Sequence, residues 1–235
     1  FFDQLKIPKP HIYLGVSSEK NINLINKIVK RFDPILERED PTAVLVVGDV
    51  NSTLACALAA SSRGIPIIHV EAGLRSNRIG MPEEVNRVVT DRLSNILFCS
   101  SDLAVKNLKS EGICDNVHIV GDIMYDQFCS QKEKISNKIL KKFGLSNKKF
   151  ILSTIHRAEN TDNIVFLRKI LNSLDKISVD LKVVIPLHPR TRKIIEKDSN
   201  FKLKNICLTN PLSYLEMLEL LLNSSLVVTD SGGLQ

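Results

Sequence analysis

Strand-sized apolar runs alternate with amphipathic stretches along most of this 235-residue chain, and no other feature restricts the fold as much. Ala43–Val47 reads as a buried strand, Ser52–Arg63 as a helix stopped by Gly64, and Ile65–Val70 as the next strand. Pro82–Leu93 reads as a helix with proline at its first position, followed by a strand at Ile96–Cys99, a helix near Asp102–Glu111 and a short strand at His118–Val120. Such a β-α-β-α rhythm implies parallel strands with helices on both faces. A lysine-rich stretch at 131–149 interrupts it and reads as a linker. The rhythm restarts with a strand at Phe150–Ile155, a helix over Thr161–Ile177, and strands at Lys182–Leu187 and Asn205–Leu208. Ser213 and Glu216 have capping-box spacing and open a helix to about Asn223, before a last strand at Leu226–Thr229. The expected architecture is α/β, with doubly wound parallel-sheet domains at 1–130 and 150–235.

Composition narrows the class. Hydrophobic residues make up 43% and charged residues 25% of the chain, an ordinary globular balance that argues against disorder and disulfide scaffolds. No apolar run approaches the ~18 residues that span a bilayer, so no membrane association is expected. The net charge of +6 is concentrated in Lys132, Lys134, Lys138, Lys141, Lys142, Lys148 and Lys149, without aromatic platforms. That pattern reads as a solvated helix or linker rather than a nucleic-acid face. Five cysteines form no CxxC pair and no Cys/His cluster, which points to a reducing compartment, the cytoplasm, and to no metal site. Phe1-Phe2-Asp3 lacks an initiator Met and a signal pattern, so the chain is expected to be a fragment.

Open parallel sheets bind ligands beyond the carboxyl ends of their strands. Asp49 follows the first strand, Glu71 the second, His156 the first strand of the second half, His188 the next, and Asp230-Ser231-Gly232-Gly233 the last. Asp49 reads as a turn residue or as a functional acid. Glu71, a charge directly after a buried strand, favours function, whereas His69 within that strand reads as a hydrogen-bonded core histidine. Glu83 and Glu84 are explained by the dipole of the helix they open, yet Asp49, Glu71 and Glu83 around one crevice would suit proton abstraction and return at carbon. His156-Arg157 before a helix suits a phosphate or caps locally, and Arg190 and Arg192 read as a solvated turn. Gly232 and Gly233 let backbone N–H groups approach an anion. Neither GxGxxG after a strand nor GxxxxGK[ST] is present, which removes support for nicotinamide and ATP P-loop readings.

Together, GDVNSTLA (48–55), HVEAGLRS (69–76), MPEEVNR (81–87), TDRLS (90–94), VGDIMYD (120–126), HRAEN (156–160), HPRTR (188–192), PLSYLEML (211–218) and TDSGGLQ (229–235) resemble, in order, the non-hydrolysing UDP-N-acetylglucosamine 2-epimerase family. The resemblance implies a glycosyltransferase-B-like fold of two Rossmann-like domains, with the nucleotide sugar in the cleft between them. It implies inversion of C2 of UDP-GlcNAc to UDP-ManNAc by elimination of UDP to 2-acetamidoglucal and re-addition, with no cofactor and no metal. By position it makes Asp49, Glu71, Glu83 and His156 catalytic. It places Ser231, Gly232 and Gly233 on phosphate and Pro211, Leu212 and Tyr214 on uracil, with Arg75 and Arg157 as further substrate contacts. It also implies a homodimer that serves polysaccharide biosynthesis. Hydrolysing relatives usually carry Gly-Gly-Glu where this chain has Glu71-Ala72-Gly73. The short spacing from Glu71 to Met81 also occurs in relatives acting on UDP-N-acetylhexosaminuronates, which leaves the C6 substituent open. Family members begin with further strands and a basic loop and continue beyond SGGLQ, so the isolated chain is expected to be inactive. A UDP-sugar glycosyltransferase of the same fold and a non-catalytic UDP-sugar-binding fragment are the alternatives.

Overall fold

The structure is a computed structural model and describes residues 7–16, 21–78, 80–201 and 203–234. Phe1-Phe2-Asp3 and Gln235 of the last motif lie outside the described residues. Two compact units are present, one over Pro8–Ile123 and one built from Met124 onward.

In the first unit, α1 (Asn21–Glu39) precedes β1 (Val44–Val47), α2 (Asn51–Ser62), β2 (Ile67–Ala72), α3 (Pro82–Leu93), β3 (Ile96–Cys99), α4 (Asp102–Ser110) and β4 (Val117–Ile119). All strand pairs are parallel, in the order β1-β2-β3-β4. Right-handed crossovers between sequential neighbours put α2, α3 and α4 on one face. Val44, Val46 and Ile67 pack there against Ala57 and Ala60, while Leu45 and Val47 on the opposite face of β1 are exposed. Helices on both faces were expected; among the described strands of this unit the order does not reverse, so one face is covered. Strand β2 also differs from expectation. Pro66 has no N–H to give a ladder, so the strand starts at Ile67, whose N–H donates to Asn95 Oδ1, and it runs on through Glu71.

In the second unit, α5 (Ile123–Gln131), a 3₁₀ turn (Lys132–Lys134) and α6 (Lys138–Phe143) lead to β5 (Phe150–Thr154) and the single turn α7 (Ala158–Thr161). Then come α8 (Ile164–Ile177), β6 (Lys182–Pro186), α9 (Pro189–Lys197), β7 (Cys207–Thr209), α10 (Tyr214–Asn223), β8 (Leu226–Thr229) and a closing 3₁₀ turn (Gly232–Leu234). The parallel sheet has the order β7-β6-β5-β8, so the direction of travel reverses at β5/β8. Leu167, Leu171 and Leu174 of α8 pack with Ile151, Val183 and Ile185 in one core. Leu220 of α10 and Ile139 and Leu140 of α6 pack with Phe150, Leu152 and Val184 in another. The sheet is therefore sandwiched, which is the doubly wound pattern. The stretch 131–149 does not behave as a free linker, because Ile139 and Leu140 are buried in that core while Lys141 and Lys142 stay exposed.

Candidate active site

Two groups of polar side chains stand at the carboxyl ends of strands, one in each unit. In the first, Gly48 turns the chain at φ +69°, and a Cβ there would sit 3.5 Å from Glu71 Oε2. Glu71 is the extra residue of a β-bulge between Val70 and Ala72 and adopts φ +67°. Bulges re-aim side chains, and a non-glycine residue in the left-handed region is strained unless its surroundings hold it there. Arg87 supplies that hold: its Nε donates to the Glu71 carbonyl oxygen at 3.2 Å. Its Nη1 lies 2.6 Å from Asp49 Oδ2 and its Nη2 3.7 Å from Glu71 Oε2. Asn86, one residue back on α3, donates to the Asp49 carbonyl at 2.9 Å and to Asn51 Oδ1 at 3.0 Å. Burial pushes the Glu71 carboxyl above its ordinary value; Asp122 and Asp49 push the same way, while Arg87 and His69 oppose.

Behind this pair lies a buried charged network. His69, with no exposed side-chain surface, donates from Nε2 to the Gly48 carbonyl at 2.9 Å, and its Nδ1 lies 2.7 Å from Asp91 Oδ1. Asp91 Oδ2 accepts from the Gly73 N–H at 3.1 Å and pairs with Arg75 at 2.8 Å. A fork of two bonds, 2.7 and 2.8 Å, ties Arg75 to Glu111. Arg75, expected at the substrate, is thus committed inside its own unit. Gly73 sits at φ +77°, and a Cβ there would come within 2.4 Å of the Ala104 carbonyl, so only glycine fits. Glu84 accepts hydrogen bonds from Ser76 and Asn77, fastening the segment after β2 to α3. Glu83 is exposed on the first turn of α3, outside the ion pairs of Arg87.

In the second unit, the ends of β5 and β8 flank the reversal of the sheet, where doubly wound folds form their ligand crevice. Asp230 accepts from the N–H groups of His156 and Arg157 and from the Asn160 amide, at 2.9–3.1 Å. Its Oδ1 is 3.0 Å from Nδ1 of His156, whose side chain is half-exposed (52%). Burial pushes the Asp230 carboxyl up, but the hydrogen bonds from Asn160, Arg157 and His156 outweigh it and hold the group below the ordinary carboxylate range. The N–H groups opening α7, expected to suit a phosphate, are therefore taken by a carboxylate of the protein itself. Arg157 lies 3.6 Å from Glu159. The Ser231 N–H donates to Thr229 Oγ1, whose hydroxyl also bonds Thr154 across the strand pair; Gly232 and Gly233 follow in the 3₁₀ turn. Pro211 and Leu212 lead into the capping box of Ser213 and Glu216, with Tyr214 part-buried as the first residue of α10. The HPRTR run is absorbed structurally. His188 caps α9, Arg190 pairs with Asp162 at 2.7 Å, and Arg192 bonds the Thr209 carbonyl at 2.7 Å.

Among the described residues, no three His, Cys, Asp or Glu side chains converge as a metal site, and no helix is long and apolar enough to cross a membrane. Sequence reasoning missed Asp91 and Arg87 as organisers and took Asp230 for part of an anion loop. The TDRLS and MPEEVNR motifs contain the first two, but only three-dimensional pairing gives them roles.

Two parallel-sheet Rossmann-like units, each with its polar residues at strand ends, define an α/β protein of the glycosyltransferase-B-like class. The family profile described as UDP-N-acetylglucosamine 2-epimerase matches residues 1–235, and the chain belongs to this family. It is 47% identical to a UDP-N-acetylglucosamine 2-epimerase homolog of Methanococcus maripaludis, over all of this chain and 67% of that protein. It is 45% identical to UDP-2,3-diacetamido-2,3-dideoxy-D-glucuronate 2-epimerase of Pseudomonas aeruginosa, over all of this chain and 66% of that protein. Among solved structures, it is similar to UDP-GlcNAc 2-epimerase of Methanocaldococcus jannaschii in complex with UDP-GlcNAc and UDP. There the TM-score is 0.87 at 36% identity, with 99% of this chain and 67% of that one covered. The chain thus spans about two thirds of the length of the relatives it matches.

Proposed function

We propose that the protein interconverts UDP-GlcNAc and UDP-ManNAc. A carboxylate takes the C2 proton as the C1–O bond to UDP breaks, giving 2-acetamidoglucal and UDP. Re-addition of UDP at C1, with proton delivery to the other face of C2, gives the epimer. The observation that carries this reading is the pair of strand-end carboxylates, Asp49 and Glu71, held on one guanidinium. Such a pair can remove the proton from one face of C2 and return it on the other, and burial, which raises the Glu71 carboxyl above its ordinary value, favours proton transfer there. The family resemblance adds Glu83, exposed on the first turn of α3, as the third carboxylate, sharing with the pair the removal and return of the proton and the support of the cationic transition state. In the second unit His156, oriented by Asp230, stabilises charge on the departing diphosphate; Ser231, Gly232, Gly233 and Arg157 hold phosphate, and Pro211, Leu212 and Tyr214 hold uracil.

The test is to supply the full-length protein with UDP-GlcNAc in D₂O and no acceptor. Deuterium at C2 is expected; its absence, with no glucal formed, would overturn the reading and leave the glycosyltransferase and binding-fragment alternatives. Asp49→Asn or Glu71→Gln is expected to slow exchange ~10²–10⁴-fold while UDP binding persists. A second reading, a UDP-N-acetylhexosaminuronate substrate, is favoured by the 45% identity to the Pseudomonas aeruginosa protein. The ratio of kcat/KM on the two sugars decides between them. We also propose a homodimer that acts in the cytoplasm in polysaccharide biosynthesis; five free cysteines suit a reducing compartment, and light scattering of the full-length protein checks its size.

A further inference from the structure

Arg87 is only 11% exposed, yet its guanidinium contacts both carboxylates on which the epimerase reading rests. The three contacts differ. The cation sits on Asp49 at 2.6 Å, stands back from the Glu71 carboxylate at 3.7 Å, and bonds the Glu71 main chain at 3.2 Å. A cation so covered and so engaged is poorly placed to clamp a phosphate of its own. We propose that Arg87 is a positioning residue of the epimerisation. It fixes the spacing of Asp49 and Glu71 and makes them inequivalent proton carriers, with the cation seated on Asp49 and Glu71 left as the half-buried partner.

The chemistry needs that inequality. Two carboxylates close together without a cation share one proton and titrate as a unit. Inverting C2 requires one group that takes the proton and a distinct one that gives it back on the other face. The charged groups acting on Glu71 are Arg87 of α3, Asp122 after β4, Asp49 after β1 and His69 within β2. With the Arg87 charge removed, Asp49 and Asp122 repel the Glu71 carboxylate and His69 alone opposes them. Glu71 then holds its proton to higher pH. The same side chain secures the left-handed backbone at Glu71, so its loss also frees the carboxylate to swing.

The inference rests on the epimerase reading, and one set of measurements separates the two. In the full-length protein, the pH profile of kcat/KM for C2 exchange is recorded for the parent and for Glu71→Gln, which identifies the limb belonging to Glu71. Arg87→Met is expected to lower kcat about 100-fold, to change KM for UDP-GlcNAc by less than about threefold, and to move that limb up by about one pH unit. Arg87→Lys restores the charge without the fork, so the limb returns to its parental position while kcat stays intermediate. Arg87→Gln also removes the charge and carries the same test if the methionine variant fails to fold. An unmoved limb in a variant that removes the charge, with only a lowered melting temperature, would overturn the proposal, as would a raised KM at unchanged kcat in that variant. Should Asp49→Asn and Glu71→Gln both retain full exchange, the reading of the carboxylates fails instead.

Discussion

Glu71 occupies φ +67° in a bulged strand, a conformation worth about 1–3 kcal/mol of strain in a residue that is not glycine. The fold tolerates it because Arg87 bonds its carbonyl and Asp91 anchors the Gly73 N–H two residues on. Glu71→Gly is therefore expected to stabilise the protein by about 1 kcal/mol, after allowing for glycine's larger unfolded-state entropy, while abolishing C2 exchange. Chemical denaturation alongside the exchange assay checks both halves. The position of Asp49, Glu71 and His156 at strand ends was legible in the sequence because each stands at the end of an apolar run. Asp91 was not, since its partners His69, Gly73 and Arg75 belong to β2 and the loop after it. Nor was the role of Asp230 as an acceptor for another strand's loop. Arg75 misled because an arginine in a recognisable motif reads as an anion contact, whereas Glu111 and Asp91 claim it.

At the scale of elements, helices with explicit end signals were read to the residue. Pro82 at the first position bounds α3, and the Ser213–Glu216 box bounds α10. Helix α1 gave no such signal and carries Pro34 in its interior, which argues for a break until Leu36 and Ile28 are seen buried. The lysines of α6 likewise hid two core residues. Loops, too, depend on buried charges that spacing does not reveal. Asp175 near the end of α8 accepts from the N–H groups of Lys204, Asn205 and Ile206 at 2.8–3.1 Å, and so fixes the approach to β7. Burial raises its carboxyl, but the bonds from Asn205, Ile206 and Lys204 prevail and hold it below the usual range. Stability from a lowered carboxyl is present above its unfolded value and lost as pH falls through the folded one. Asp175→Ala is thus expected to cost about 2 kcal/mol at pH 7, a deficit that shrinks below about pH 4, as urea titrations at the two pH values would show.

The division of the chain into two α/β units was legible because the strand-helix rhythm stops and then restarts, although the boundary, read from the lysines at 131–149, falls at Ile123/Met124. Each unit buries its own core: Leu36, Val46, Leu97 and Leu108 belong to the first, and Phe150, Leu167, Val184 and Leu220 to the second. A protein with separate cores need not unfold in a single step. Calorimetry of the full-length protein is expected to resolve more than one transition. UDP at 100 times its Kd should stabilise the one belonging to the second unit by about 2.7 kcal/mol, whereas equal shifts of all transitions would contradict the assignment of uridine binding to that unit. Separate cores also bear on descent. Substitutions far apart with no shared partners add independently, so changes can accumulate among the strand ends of one unit without eroding the stability of the other. A lineage built this way can rework one set of strand ends while inheriting the other unit whole.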